Sequence, residues 1–534
     1  MSHHQVIIAG AGPVGLTLAI DLGQRGIRVL LAERNPAPGR LPKMERCNAR
    51  TMEIFRHMGL ADAIRAKGYA AENPMDVFII TKMTEPPILH LSYRSVAQLK
   101  RDGKNINDGS LPLEPYQLIS QYTIEPLLKS IAESIPNVTV RFGCELLSFT
   151  QSEQSVSAQF KLADGTLVTE TADYLTGCDG GGSTVRKQLG IALQGQGNIL
   201  ELRQALFYAP DLYDRIPIGK GRHYHVADQR NSGIVVQDDC KHFTLHAVVD
   251  NDEDMETVFR EAVGFPIELK TLYVGKWKQN LLVAERYADR RVLLAGDSAH
   301  LVIPTGGLGM NTGVGDAHDL AWMLAGTLQG WGGPKLLEAY ATERRQIGIR
   351  NVTGSGYAAG GRRTWRGLWQ PWIAERTPEG AALREQMRAI ADVEQRKTNE
   401  QLGTECGYRY IDTSLLCKED GEGPDPNNVK YVPSTWPGAR VPHVWLEDGS
   451  ALQDHLGRGY TLLRLGSNPA DTSALEAAMR ATGAPFAVLR ITDTQVRVLL
   501  ERDLLLLRPD LHVAWRGDAA PLSAAQVAAT VTGH

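Results

Sequence analysis

The sequence predicts an α/β protein: a parallel-sheet domain interleaved along the chain with a strand-rich domain, then a separate α/β domain at the carboxy end. Three observations predict this. A buried strand at the start runs directly into a glycine-rich turn and a helix. Acid–glycine junctions of similar kind return at 178–180 and 295–297, with strand-patterned sequence between them. A polar, Pro/Gly-rich stretch at 418–438 then separates the last segment from the rest.

At 534 residues the chain is too long for one ordinary core, so two or three domains are expected. Hydrophobic residues at 43% and charged residues at 22% give an ordinary globular balance. A net charge of −4 offers no basic field for nucleic acid. The six cysteines (Cys47, Cys144, Cys178, Cys240, Cys406, Cys417) include no C-x-x-C pair, which argues against a zinc cluster, a dithiol motif or a disulfide framework. No secretory leader is read at the start, and no run of about 18 apolar residues is present. The expectation is a cytoplasmic protein with no metal, no membrane partner and no nucleic acid partner.

Residues 5–9 form the first buried strand, and Val14, Leu18 and Leu22 mark one face of a helix that Gly26 ends. Arg28–Glu33 is a second buried strand, completing a strand–helix–strand unit. Further helices are expected at 48–58 and 122–134, and a hairpin meander over 138–170. Alternating strands fill 200–280, a buried strand follows at Arg291–Ala295, and a long helix at 311–329. The resulting division assigns 1–72, 98–195 and 281–400 to the parallel-sheet domain, 73–97 and 196–280 to the strand-rich domain, 401–437 to a linker and 438–534 to the last domain.

Gly10-Ala11-Gly12-Pro13-Val14-Gly15 is the pattern G-x-G-x-x-G. The first glycine suits a tight turn, the second the approach of a pyrophosphate, the third close helix–strand packing. Glu33, at the end of the next strand, suits free ribose hydroxyls and disfavours a 2′-phosphate, although Arg34 beside it weakens that exclusion. NAD and FAD both fit these residues.

Two later motifs narrow the choice. Cys178-Asp179-Gly180 is followed by Ser183 and Arg186, and Gly296-Asp297 is followed by a tail containing Pro304, Gly307, Gly309, Met310 and Asn311. In order and separation the three motifs resemble those of the single-component (class A) flavoprotein monooxygenases, the group of 4-hydroxybenzoate hydroxylase and phenol hydroxylase. The resemblance implies a Rossmann-like FAD-binding domain interleaved with a β-sheet substrate domain. Asp297 is then expected at the ribityl chain, and the helix after the glycine tail at the flavin's pyrimidine carbonyls. Asp179 and Arg186 match the motif shared between FAD and NAD(P)H. The alternative for Asp179 is a helix-capping turn. Lys43 stands where the family often has an arginine, keeping the charge without the planar fork. Gln121 resembles an FAD-contacting residue at a helix start, with an ordinary cap neighbour as the alternative.

The activity so implied is NAD(P)H- and O2-dependent hydroxylation of a small phenolic or aromatic substrate through a flavin C4a-hydroperoxide, with the protein supplying position, a dry cavity and a proton path. For the proton acceptor, Glu45 occupies the place of an active-site acid in the phenol hydroxylase branch. The alternative is a surface carboxylate paired with Arg46. The strand-rich insert offers His223, Tyr224, His225, Gln237 and His246, of which Tyr224 and His225 join Glu45 as catalytic candidates. The tryptophan-rich segment 364–372 reads as core packing or a domain junction, with a substrate lid or subunit contact as alternatives. The carboxy-terminal segment resembles the thioredoxin-like domain of the phenol hydroxylase branch through 438–446, Gly459-Tyr460 and 507–516. With no cysteine after Cys417, a structural role or support of a homodimer is what remains.

Overall fold

A computed structural model describes residues 3–41, 43, 45–425, 427 and 429–534. The first sheet has eight strands, and its central path runs Ala288–Asp289, Val292–Leu294, Leu167–Gly177, His3–Ala9, Val29–Glu33, Val138–Phe142. All neighbours on that path are parallel except the first pair. Val6, Ile7, Ile8, Leu30, Leu31 and Leu293 are fully buried, because a parallel sheet is covered on both faces. The helices Pro13–Gln24 and Leu308–Gln329 pack closely together in this unit, where Gly313 admits Val14 at a distance no side chain would allow.

The expected meander begins later than its sequence pattern suggests. Val138–Phe142 pairs in parallel with Val29–Glu33 and forms the edge of the parallel sheet. Asn137 fixes that entry: its side chain donates to the carbonyls of Gly23 and Ile27, and its own carbonyl accepts from Val29 N–H. The antiparallel meander is Cys144–Gln151, Val156–Leu162 and Leu167–Gly177, whose last residues enter the parallel layer.

A second eight-stranded sheet runs His300–Leu301, Lys270–Ala284, Leu193–Tyr208, His242–Ala247, Gly233–Val236, His223–Val226, Val77–Ile80, Leu89–Leu91. It is antiparallel apart from Val77–Ile80 beside His223–Val226. The helix Asp254–Val263 covers one face through Phe259, which meets Phe207 and Phe243.

The third sheet, Phe486–Ile491, Tyr460–Leu465, Leu504–Leu507, Val513–Gly517, pairs its first two strands in parallel and the rest antiparallel. Helices Ser473–Ala481 and Thr494–Leu499 make the crossovers, and Ala524–Thr532 closes the chain. This is a thioredoxin-like order. Residues 418–438 carry no helix or strand among those described, while Pro426 and Asn428 of the expected linker lie outside the described residues.

A 32-residue helix, Lys335–Arg366, ties these parts together. Its early turns hold Arg344 against the first sheet's unit, and its last turns bring Arg362 and Arg366 to the second sheet, roughly 27 Å further on at 1.5 Å per residue. Trp365 is fully buried beside Gln395, to which its indole donates at 3.1 Å, in a cluster with Ile79 and Leu91. That environment is core packing.

Candidate active site

Gly10 has φ +103° and a Cβ there would overlap the Cys178 carbonyl. Gly15 is equally tight against Gly10, so two glycines of the turn are fixed by packing. Gly12 differs. Nothing lies within 4 Å of where its Cβ would be, leaving its backbone open to a ligand. Gly12 caps the helix that Pro13 begins, with no side-chain cap, and Gly307 (φ +67°) does the same for Leu308–Gln329. Elsewhere Asn48, Ser95, Ser183 and Ser523 cap their helices with side-chain oxygens. Two uncapped glycine-led N-termini leave free N–H groups suited to a pyrophosphate and to an electron-rich ring carbonyl.

Glu33 accepts from Ala11 N–H at 2.9 Å and from Asn35 N–H at 2.9 Å, which holds it beside the turn, with Arg34 exposed next to it. Asp297 is solvent-accessible yet set deep in the protein mass, and this burial raises its pKa while His300 and Lys43 pull it down. An accessible carboxylate at such depth faces an internal cleft. Lys43 also pulls down Glu125, which burial raises, and which takes Gln121 Nε2 at 2.5 Å and Gly39 N–H at 3.0 Å. Lys43, Gln121 and Asp297 are thus grouped on one electrostatic neighbourhood. The open Gly12 backbone, the two bare helix ends and the cleft-facing Asp297 fit an FAD.

Other motif residues are engaged inward. Asp179 accepts from Ser183 Oγ at 2.5 Å and Val185 N–H at 3.1 Å, a helix-capping turn. Arg186 donates to the carbonyls of Gly181 and Ser298, linking the second motif to the third. Asn311 donates to the Arg46 carbonyl at 2.9 Å and accepts from Asn48 N–H at 2.8 Å, so it braces the segment after Glu45. Pro304 accepts from Gly307 N–H to form the turn ahead of the helix, with Gly309 and Met310 half-buried in its first turn.

Glu45 does not pair with Arg46, which is buried with Glu405 and lies over the Tyr116 ring. Instead Glu45 Oε1 takes Arg222 Nη2 at 3.0 Å and His223 Nε2 at 2.9 Å. Although burial opposes it, His223 and Arg222 hold the Glu45 carboxyl well below the usual range. An ionised carboxylate only accepts, so His223 Nε2 carries the proton and Nδ1 is left without a partner. Burial pushes His223 down to about 4.

His225 lies on the same face of the strand, its ring centroid 5.4 Å from that of His223. Arg362 and Gln395 approach its Nε2 at 3.5 and 3.4 Å. Tyr224 points to the opposite face. It stacks on Phe78 at 5.2 Å, its hydroxyl donates to the Gly219 carbonyl and accepts from Gly221 N–H, and it belongs to the strand domain's core. The structure therefore brings Glu45 and His225 together through His223 and sets Tyr224 apart. Gln237 is committed to Ser120 and Thr244, and half-buried His246 lies edge-on to Trp277.

Sequence reasoning missed the support behind the Gly-Asp motif. Asp316 accepts Gly296 N–H at 3.0 Å, His300 Nε2 at 2.8 Å and Arg344 Nε at 2.8 Å, all fully buried. Arg344 continues to the Tyr410 hydroxyl, and Glu343, its neighbour, holds Arg508 of the last domain at 2.7 and 2.8 Å. No motif marks these positions, because their partners come from distant segments.

A family model described as an FAD binding domain matches residues 3–355, and one described as an aromatic-ring hydroxylase C-terminal domain matches 434–533. The chain is 31% identical to FAD-dependent monooxygenase apdD of Emericella nidulans over 96% of its own length and 87% of the relative's. It is 31% identical to aklavinone 12-hydroxylase RdmE of Streptomyces purpurascens, over 98% of both chains. The solved structure of the rebeccamycin biosynthetic enzyme RebC with reduced flavin superimposes with a TM-score of 0.89 at 29% identity, covering 99% of each chain. No described helix is long and apolar enough to cross a membrane.

Proposed function

The chain belongs to the FAD-dependent aromatic-ring hydroxylases, with FAD and NAD(P)H as its cofactors, and from that premise we propose that it hydroxylates a phenolic ring of a multi-ring substrate held between Glu45 and the His223–His225 edge of the second sheet. One observation carries this reading: the Glu45–His223 bond, which places an ionised carboxylate and a neutral imidazole side by side. The likeness to a hydroxylase named for aklavinone supports the multi-ring substrate.

FAD, when bound, accepts hydride from NAD(P)H and activates oxygen; the rest falls to the chain's own groups. For the cofactor we propose Gly10, Gly12, Pro13, Val14, Gly15 and Glu33 at the adenosine and pyrophosphate end, with Arg34 at its edge. Lys43, Gln121, Asp297, Pro304, Gly307, Gly309, Met310 and Asn311 would line the flavin end, and Asp179 and Arg186 would brace the cleft between. Arg222 and Arg362 make the substrate side electropositive, which favours a phenolate over a phenol. Glu45 fixes the His223 tautomer so that Nδ1 is the proton acceptor, which makes Glu45 a positioning residue. His225 borders the ring. The domain limits proposed are those drawn from the sequence, with 1–72, 98–195 and 281–400 binding FAD, 73–97 and 196–280 binding substrate. A homodimer and a cytoplasmic location belong to the proposal, checked by light scattering and cell fractionation.

The decisive test is a panel of phenols, hydroxybenzoates and hydroxyanthraquinones given to the FAD-loaded protein with NADH or NADPH. Substrate-stimulated cofactor oxidation with an oxygenated product from a multi-ring phenol supports the reading. Hydroxylation of single-ring substrates alone refutes the multi-ring assignment.

A further inference from the structure

The far end of the helix Lys335–Arg366 brings two half-buried arginines, Arg362 and Arg366, to the strand that carries His225 and its neighbour in the sheet. They sit four residues apart on one helix face, where like charges repel. Among the described residues no carboxylate forms an ion pair with either one. Arg366 Nη2 donates to the Ser232 carbonyl at 2.9 Å, but its buried Nη1 has no partner. Arg362 has a single contact, Nη2 to His225 Nε2 at 3.5 Å, at the limit of a hydrogen bond, and its buried Nε has none.

The neighbourhood repeats the pattern. His223 Nδ1, His225 Nδ1, Arg222 Nε and Glu45 Oε2 are also buried without partners. Several buried arginines elsewhere are paired with carboxylates: Arg508 with Glu343 and Asp510, Arg344 with Asp316, Arg440 with Glu53; Arg186 instead spends its donors on two carbonyls. Arg362 and Arg366 have neither an ion pair nor a full set of carbonyl acceptors, and burial with their mutual repulsion brings Arg362 down to about 9. Glu45, the nearest carboxylate to bear on Arg362, is already occupied by Arg222 and His223. Asp228 bears on Arg366 without forming an ion pair with it, so the two guanidinium groups, with unused donors and no carboxylate in contact, form a receptor for a planar, bidentate anion.

We infer that Arg362, backed by Arg366, anchors a carboxylate carried by the aromatic substrate. This rests on the reading that the His223–His225 edge is the substrate site. The carboxylate would take the free guanidinium N–H groups and orient the ring system before the phenolic proton leaves.

The test uses the full-length, FAD-loaded protein and two probes, 1,8-dihydroxyanthraquinone-3-carboxylic acid and its methyl ester, titrated while flavin absorbance is followed. The acid is expected to bind about tenfold or more tightly than the ester. Arg362→Met is expected to bring the ratio of acid to ester affinity, read within the variant itself, close to one, and Arg362→Lys to restore part of it. FAD content and ester binding report whether a variant is folded. If Arg362→Met fails to hold FAD, Arg366→Met and the wild-type comparison decide. Equal binding of acid and ester by the wild type, or a preference that survives both substitutions, overturns the anchor and leaves the aromatic site standing. If neither probe perturbs the flavin, the multi-ring site and the anchor fall together.

Discussion

Glu45 and His223, 178 positions apart in sequence, share a hydrogen bond of 2.9 Å that joins a loop of the FAD-binding region to a strand of the second sheet. Arg222 at 3.0 Å completes the contact. The bond does two things at once. It keeps the carboxylate charged, and it assigns the imidazole proton to Nε2, leaving Nδ1 as an acceptor.

Glu45→Gln removes the charge that fixes the tautomer while keeping the shape. The expected result is a fall in kcat of about 10²-fold, within the usual contribution of a positioned acid–base group, with FAD content unchanged. A rapid-mix measurement of product formation checks it. An unchanged kcat would show that the phenolic proton leaves by another route.

Tyr224→Phe is the contrasting case. The hydroxyl bridges Gly219 and Gly221 inside the strand domain and faces away from Glu45. Its loss should cost about 1–2 kcal/mol of stability and leave kcat within about threefold. Denaturant unfolding beside steady-state kinetics separates the two effects. A large loss of kcat at unchanged stability would return Tyr224 to the chemistry.

The legible part of the sequence was the part that is local. The glycine turn, Glu33 and the two Gly/Asp junctions each sit at a strand end, and the strand-rich insert announced itself by alternation. Alternation also separates Tyr224 from His225, since adjacent strand residues face opposite sides, so the two could not share one site. The rest was hidden by distance. Arg46 finds Glu405 at a separation of 359 residues, and Arg362 reaches His225 across 137. Those pairings follow from the 32-residue helix crossing between sheets, which no local pattern foretold.

Gly10 and Gly12 separate folding from cofactor binding. The Cβ that Gly12→Val adds meets no protein atom within 4 Å, so the fold should survive while the pyrophosphate is blocked and FAD is lost. Gly10→Ala forces a side chain onto the Cys178 carbonyl at φ +103°, so both FAD and thermal stability should fall. Flavin absorbance per protein and a melting curve read both. A Gly12→Val protein with full FAD would show that the open space beside the turn is not where the pyrophosphate lies.

The Arg508–Glu343 pair predicts how firmly the last domain is joined to the rest. Both groups are fully buried, and Asp510 shares the guanidinium at 2.6 Å. Arg508→Met strands two carboxylates away from water, a change that costs about 3–5 kcal/mol when one partner of a buried pair is removed. The melting temperature should drop by several degrees, and a smaller loss would mean that water reaches Glu343.

Stability should also fall with pH in a window set by buried histidines. Burial lowers His223 and His512 to about 4 in the folded protein, against 6.5 when exposed. Above 6.5 neither state binds the proton, so the stability is fully present. Between 6.5 and 4 the unfolded chain is protonated while the folded chain is not, and each histidine removes about 1.4 kcal/mol per pH unit. The loss therefore begins near pH 6.5, well above the range in which carboxylates titrate. His512, packed against Tyr408 and Tyr410, gives the cleaner test. His512→Phe preserves the ring packing and removes one titrating group, so the slope of unfolding free energy between pH 6.5 and 4.5 should drop by about 1.4 kcal/mol per unit. An unaltered slope would mean that His512 already gains its proton in the folded state, with Asp510 beside it as the counter-charge.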